Sequence, residues 1–594
     1  MSSSHFMKTW GAEKIADNRW RFRLWAPGLS GVSLVLDGTM QGMDKTVDGW
    51  FETEAEASAG TSYVFSLPDE FQVPDPAARA QSNTVHGPSK LVDPQAYEWE
   101  TAWKGRPWHE TVLYELHTGT FSAGSDFDGI RSHLDHLAEI GITAVELCPV
   151  AQFAGNRGWG YDGVLLYAPH PAYGGVDGLK RLVDAAHARG LMVFLDVVYN
   201  HFGPDGNYLH RYAPEFFDEK RHTPWGAAIA YDQRPVRQFV IDNALYWLHE
   251  YRLDGLRLDA IDQIIDPSPE PIVAELARMV RNHGFDRPVH LTTEDERNIT
   301  WLHERDAERR PVLFDGEWND DFHHVAHVLA TGETEGYYID YAQDAITDMA
   351  TALGQGFVAQ GRPSPYLNGK PRGQPSAHLP PSAFVNFIQN HDQIGNRAFG
   401  ERLTMLAEPE AVVVLTALLL LSPPIPLVFM GEEWGETRPF QFFCDFHGEL
   451  ADAVRQGRRR EFAHWPQFAD PELRRRIPDP NAIETFQRSM LDWQTAQSEA
   501  GTKRLEIFRH LTAIRAEEIA PRIAGMPAMN GTAAPIGERG IVAEWVLADH
   551  SILSILANLG GEPFSATMNE SRTLFREGRS SEDRWSIHVR LEEA

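Results

Sequence analysis

Between Thr111 and about residue 525 the sequence alternates short apolar strands with amphipathic helical stretches, and this rhythm excludes most architectures. The strand candidates are "TVLYEL", "ITAVELCPV", "LMVFLDVVYNH", "LDGLRLDA", "VHLTTED", "PVLFDGEWND", "AFVNFIQNHD" and "PLVFMGEEW". Between them lie helical patterns such as "FDGIRSHLDHLAEIG" and "VDGLKRLVDAAHARG", which close on Gly141 and Gly190 as helix stops should. Others are "VRQFVIDNALYWLHEY", "PIVAELARMVRNHG", "ITWLHERDAERR", the apolar run from Ala411 and, last, "RLEIFRHLTAIRAEE". Eight strands in such alternation are the count of a closed (β/α)8 TIM barrel, an α/β fold, predicted here over residues 106–525. The rival, a doubly wound open sheet, needs a switch point and normally a glycine-rich phosphate loop, and neither is present in the sequence. Residues 1–105 alternate apolar and polar positions between Gly, Pro and Asp turns, which predicts a β-sandwich. Residues 526–594 revert to strand patterns ("GIVAEWVL", "HSILSILANL", "RWSIHVRL") and predict a small C-terminal β domain.

Composition narrows the partners. A formal net charge of -30 argues against nucleic acid and against an anionic membrane surface, and leaves a neutral substrate as the better fit. Two cysteines, Cys148 and Cys444, give no disulfide framework. The N-terminal "MSSSHFMKTWGAEK" shows no apolar signal segment, and "AVVVLTALLLL" is too short to span a bilayer, so it predicts a buried helix. A cytoplasmic location is the expectation.

Four strands end in charge, which is costly inside a protein unless paired. "LDGLRLDA" places Arg257 and Asp259 on one face and Leu256 and Leu258 on the other. "VFLDVVYNH" supplies Asp196 and His201, "VHLTTED" supplies Glu294, and "FVNFIQNHD" supplies His391 and Asp392. Taken singly, each is as readily a structural ion pair, a cap or a core histidine. At the carboxyl ends of barrel strands, where this fold carries its active sites, they converge on one pocket. Three carboxylates with an arginine and two histidines suit glycosidic bond cleavage, which needs a carboxylic acid for the leaving oxygen and a carboxylate for the anomeric carbon. Arg257 should lower the pKa of Asp259 and leave an ionised nucleophile. Acidic neighbours should raise Glu294 and keep it a proton donor. Asp392, His201 and His391 remain to hold sugar hydroxyls.

In chain order, "DVVYNH", "GLRLDA", "TTED" and "QNHDQ" resemble the four short motifs of the α-amylase superfamily. The resemblance implies a retaining double displacement with Asp259 as nucleophile, Glu294 as acid/base and Asp392 as transition-state stabiliser. It also selects Glu294 from the run Glu294, Asp295, Glu296. "FRLWAP" and the N-terminal sandwich are similar to branching and debranching enzymes of that superfamily. Within it, "GWGYDGVLLYAPHPAYGG", "DVVYNHFGPDGNYL", "TEDERN", "NDDFHH", "QNHDQIGNRAFGERL" and "PFQFFCDFHGEL" resemble the trehalohydrolases that act on maltooligosyltrehalose. That implies this substrate, and as a pathway partner the maltooligosyltrehalose synthase. Tyr161 resembles the residue that stacks on the sugar being cleaved. Trp159, Trp318 and Trp434, near strand ends, are further stacking candidates, and Asp320 and Asp321 are candidates for the trehalose end. Asn200 falls where calcium-binding amylases have a ligand, but the remaining oxygen ligands are not recognisable. It is expected to orient its loop, with no metal and no cofactor required. A branching enzyme or other transglycosylase would use the same carboxylates. A noncatalytic glucan-binding or transporter subunit is disfavoured by the intact triad.

Overall fold

A computed structural model describes residues 6–594 except 466, 467, 469 and 567–570. The first five residues of the predicted sandwich and residues 567–570 of the predicted C-terminal domain lie outside the description.

Eight parallel strands close a barrel in sequence order: β1 (Leu113–Leu116), β2 (Ala144–Leu147), β3 (Met192–Val197), β4 (Gly255–Leu258), β5 (His290–Thr293), β6 (Gly316–Trp318), β7 (Phe384–Asn386) and β8 (Ile425–Phe429). Each coincides with one of the predicted strands. All their residues are buried, because helices cover the outside and side chains fill the inside. The register sets Glu115 beside Glu146 on β1 and β2, and Asp196 beside Arg257 on β3 and β4. The charged strand ends therefore share one end of the barrel.

The surrounding helices are α1 (Phe127–Arg131), α2 (Leu134–Glu139), α3 (Gly175–His187), α4 (Arg234–Glu250), α5 (Ile272–Asn282), α6 (Asp320–Thr331), α7 (Ala345–Gln355), α8 (Pro409–Leu421) and α9 (Glu499–Ile514). The helix expected over "FDGIRSHLDHLAEIG" is broken at Ser132 and His133 into α1 and α2. The apolar α8 is buried on almost every side, between α9 and the C-terminal strand Trp585–Glu592, which explains why it has no polar face.

One predicted helix does not form. "ITWLHERDAERR" is a single 3-10 turn, Trp301–His303, followed by loop. Its polar side chains bond locally instead: His303 pairs with Glu317 at 2.8 Å, Arg305 donates to the carbonyls of Phe314 and Asp315, and Asp306 accepts from the Arg310 backbone N–H. Such bonds compete with helix formation.

Before the barrel, two antiparallel sheets of four and six strands face each other over Trp20, Phe22, Leu34 and Phe65. Trp10 docks this module on α4, burying its ring against Phe216 and Phe239 and donating from Nε1 to the Pro235 carbonyl at 2.8 Å. After the barrel, five antiparallel strands form a sheet that includes the three predicted ones. No helix of the described residues is long and apolar enough to cross a membrane.

Candidate active site

The charged face of "GLRLDA" is explained by what it meets. Arg257 is wholly buried, and its Nη1 donates to Asp196 Oδ2 at 2.6 Å and to Asp259 Oδ1 at 2.8 Å. Its Nη2 lies 2.7 Å from Glu294 Oε2, and the indole of Trp318 packs 4.2 Å from the guanidinium carbon. Three carboxylates and an aromatic face offset the desolvation of one cation. One side chain thereby holds groups from β3, the end of β4 and the end of β5 together.

Asp259 is fixed from a second direction. Asn200 Nδ2 donates to both the Asp259 carbonyl and its Oδ2, each at 2.9 Å. Ala260 follows in the left-handed conformation, with φ at 40°, uncommon for a residue with a Cβ. That turn aims the Ala260 N–H at Glu294 Oε2, 2.9 Å away. Burial, and after it the charges of Asp259, Asp392 and Asp320, raise the pKa of Glu294 well above the usual carboxyl range despite Arg257. Burial and these acidic neighbours thus favour the protonated form of Glu294, and Asp259 accepts three hydrogen bonds on its carboxylate and carbonyl.

These groups line a cavity of about 520 Å³ at the carboxyl end of the barrel. Asp259, Glu294, Asp392, Trp159, Tyr161, His201, Asp320 and His391 all reach it. Tyr161 donates to Asp196 Oδ2 at 2.7 Å and stacks on His391 with ring centres 5.0 Å apart. Gly160, between Trp159 and Tyr161, has φ of 103°, and a Cβ there would lie 2.1 Å from the Pro149 carbonyl oxygen, so the "GWGYDG" turn needs glycine. Asp392 Oδ1 accepts from Asn396 at 2.7 Å, and Asp320 Oδ1 from Gln393 at 3.1 Å. Burial and the neighbouring Asp392 push Asp320 up to about 7. Burial raises Asp196 to about 6 against the pull of Arg257.

Some expected contacts are not made with the cavity. Asp196 and Arg257 do not line it; Arg257 contacts Asp196, Asp259 and Glu294, and Asp196 accepts from Tyr161. Trp318 is buried beneath Arg257, so its face is already occupied by a cation. Trp434 is buried against Trp493, away from the site. Asp321 is wholly buried and turned away from the cavity, its carboxylate taken up by Asn298, Tyr341, Arg372 and the Val358 and Ala359 N–H groups. That carboxylate ties α6 to the chain after α7, and a sugar hydroxyl finds no free oxygen on it. Within "TEDERN", Asp295 is buried and paired with Arg297 at 2.6 Å, which separates it from Glu294.

The cavity also holds residues the sequence did not single out. Trp225, at the tip of the hairpin Phe217–Thr223 and Gly226–Ile229, is 50% exposed and stacks on His201 at 4.3 Å. An exposed tryptophan in the polar turn "HTPWGA" was the available signal. Tyr337, Tyr366 and Arg372 close the wall beside α6. Among the described residues, the ligand-type side chains Glu115, Cys148 and His391 come together within 4.8 Å. Glu115 and His391 are bonded to each other, and burial with Glu115 beside it holds the Cys148 thiol protonated, so the group is a hydrogen-bonded pair beside a thiol.

Comparison with known proteins identifies the family. Residues 115–225 match the α-amylase catalytic domain, and residues 529–593 match a domain of unknown function, DUF3459. The malto-oligosyltrehalose trehalohydrolase of Deinococcus radiodurans is 40% identical over 84% of this chain and 81% of its own. That of Mycobacterium tuberculosis is 38% identical over 91% of this chain and 93% of its own. A crystal structure from Salmonella typhimurium, described as a candidate α-amylase, superposes with a TM-score of 0.95 at 50% identity, covering 99% of this chain and 100% of that one. With the barrel, the four motif segments and identity of this extent across most of its length, the chain belongs to the malto-oligosyltrehalose trehalohydrolases of the α-amylase superfamily.

Proposed function

We propose that the enzyme hydrolyses the α-1,4 glucosidic bond next to the terminal trehalose of maltooligosyltrehalose with retention, releasing trehalose and a maltooligosaccharide. The observation that carries this is the pair Asp259 and Glu294 on one buried guanidinium, facing a sugar-sized cavity, in a chain of this family. Both carboxyls lie against one guanidinium, and a retaining mechanism requires them roughly 5 to 5.5 Å apart.

Glu294 gives its proton to the glycosidic oxygen as Asp259 Oδ2 attacks the anomeric carbon, and trehalose leaves with that proton. Water then attacks the same carbon of the glycosyl-Asp259 ester, giving its proton to the Glu294 carboxylate and freeing Asp259. Asp392, His391 and His201 hold hydroxyls of the sugar being cleaved, and Tyr161 and Trp159 pack on its C–H face. Asp320, which lines the same cavity, accepts from hydroxyls of the trehalose unit. The substrate is the product of a maltooligosyltrehalose synthase, and we place the enzyme after it, in the cytoplasm.

Product analysis tests this reading. Purified protein is incubated with maltooligosyltrehalose, and in parallel with the matching maltooligosaccharide. Free trehalose from the first, much slower cleavage of the second, and a silent Asp259→Ala variant are expected. Equal cleavage of both would make the enzyme an amylase, and longer branched products with altered iodine staining a branching enzyme.

A further inference from the structure

Glu115 and Glu146 lie side by side inside the barrel, and neither takes part in the chemistry above. Glu115 is 2% exposed and accepts from both the backbone N–H and the Nδ1 of His391. His391 is one of the cavity-lining histidines, and with Nδ1 taken by Glu115, Nε2 is the ring nitrogen left for a sugar hydroxyl. Glu146 is 1% exposed, and neither carboxyl oxygen has a hydrogen-bond partner. Two adjacent buried carboxyls do not both ionise cheaply.

We propose that Glu115 is a positioning residue that holds His391 as a charged imidazolium with Nε2 aimed at the sugar, and that Glu146 is the neutral acid beside it. This deepens the functional reading above and rests on it for what the imidazolium does. An imidazolium donates from both nitrogens, whereas a neutral ring bonded to a carboxylate through Nδ1–H offers Nε2 only as an acceptor. Substrate hydroxyls can then accept a charge-assisted hydrogen bond that strengthens as charge redistributes around the ring oxygen.

The groups facing His391 act in opposite senses. Burial pushes its pKa down, Glu115 on β1 and then Asp392 push it up, Arg257 on β4 opposes them, and the net direction is upward. Cys148 at the end of β2 is protonated, Tyr161 and Trp159 present uncharged rings, and His117 is kept neutral by burial, down to about 4. Glu146 is raised well above the carboxyl range by burial and then by Glu115 and Asp196, which is the condition for leaving Glu115 the negative partner.

The test is a titration of His391 by heteronuclear NMR of histidine-labelled full-length protein without substrate, assigned by its loss in His391→Gln. The wild-type midpoint is expected above the free-histidine value of about 6.5. In Glu115→Gln, which keeps the shape and the backbone bond, it should fall by about one pH unit or more. In Glu146→Gln it should stay in place. The kcat/KM of Glu115→Gln should fall roughly 10- to 100-fold. A wild-type midpoint at or below the free-histidine value, or an unmoved midpoint in Glu115→Gln, overturns the proposal. A midpoint that falls equally in Glu146→Gln overturns the assignment of the neutral acid. If Glu115→Gln fails to fold, the wild-type titration alone decides. Because no substrate is present, a normal titration without trehalose release would overturn the functional reading and leave this one standing.

Discussion

Arg257 is buried only because three carboxylates and Trp318 surround it, so each partner's role depends on its planar fork. Arg257→Lys, with one compact ammonium, cannot reach Asp196, Asp259 and Glu294 together. We expect at least a 100-fold loss of kcat, on the order of the contribution of a positioned acid–base group, measured as initial rates on maltooligosyltrehalose. Glu294 must be protonated to act, and its pKa is raised, so kcat/KM falls as pH rises through that value. Asp320→Asn removes one of the charges that raise it, and the alkaline limb should move to lower pH, by less than about one unit. A pH–rate profile of the two proteins measures the shift. The catalytic candidates were legible because charge inside an apolar strand is rare. Glu115 in "LYEL" and Glu146 in "VELC" carried the same signal, but no motif drew attention to them.

Loops carried by the barrel give the site its walls, and these were the least legible elements. The eight strands followed from buried apolar runs, and most helices from their periodicity. The loop after β5 passed for a helix because its side-chain bonds to backbone carbonyls leave no trace in hydrophobic spacing. Asp321 and Asp320 are adjacent and alike in sequence, yet one points into α6's packing and the other into the cavity, a difference set by helix phase. Trp225 on its hairpin belongs to the substrate side. Trp225→Ala should raise KM roughly 2- to 10-fold, the value of one aromatic contact, with kcat little changed. Gly160→Ala should abolish activity, since its Cβ cannot coexist with the Pro149 carbonyl, and near-ultraviolet circular dichroism should report the displaced Trp159 and Tyr161.

At the scale of the molecule, the sandwich and the barrel are joined through Trp10 on α4. Trp10→Ala should cost about 3 to 5 kcal/mol at that junction, seen by calorimetry as an earlier first transition. The pH dependence of stability has a definite sign in acid. Asp315, held by Arg281 and His290 against its burial, and Asp321, held by Arg372 and Tyr341, have folded pKa values below the unfolded ones. Their stabilisation is present above the unfolded value of about 3.9 and is lost as pH falls below it. Asp321→Asn should therefore lose less of its melting temperature between pH 5 and pH 3 than the wild type, although it starts lower. We propose that Asp259 and Glu294 cut next to trehalose by double displacement. Proton NMR of the first minutes of maltooligosyltrehalose hydrolysis tests it most directly, since it sees the new anomeric centre before mutarotation. Free trehalose with the new reducing end in the α configuration is the predicted result, and a β-configured product, or one without trehalose, would contradict it.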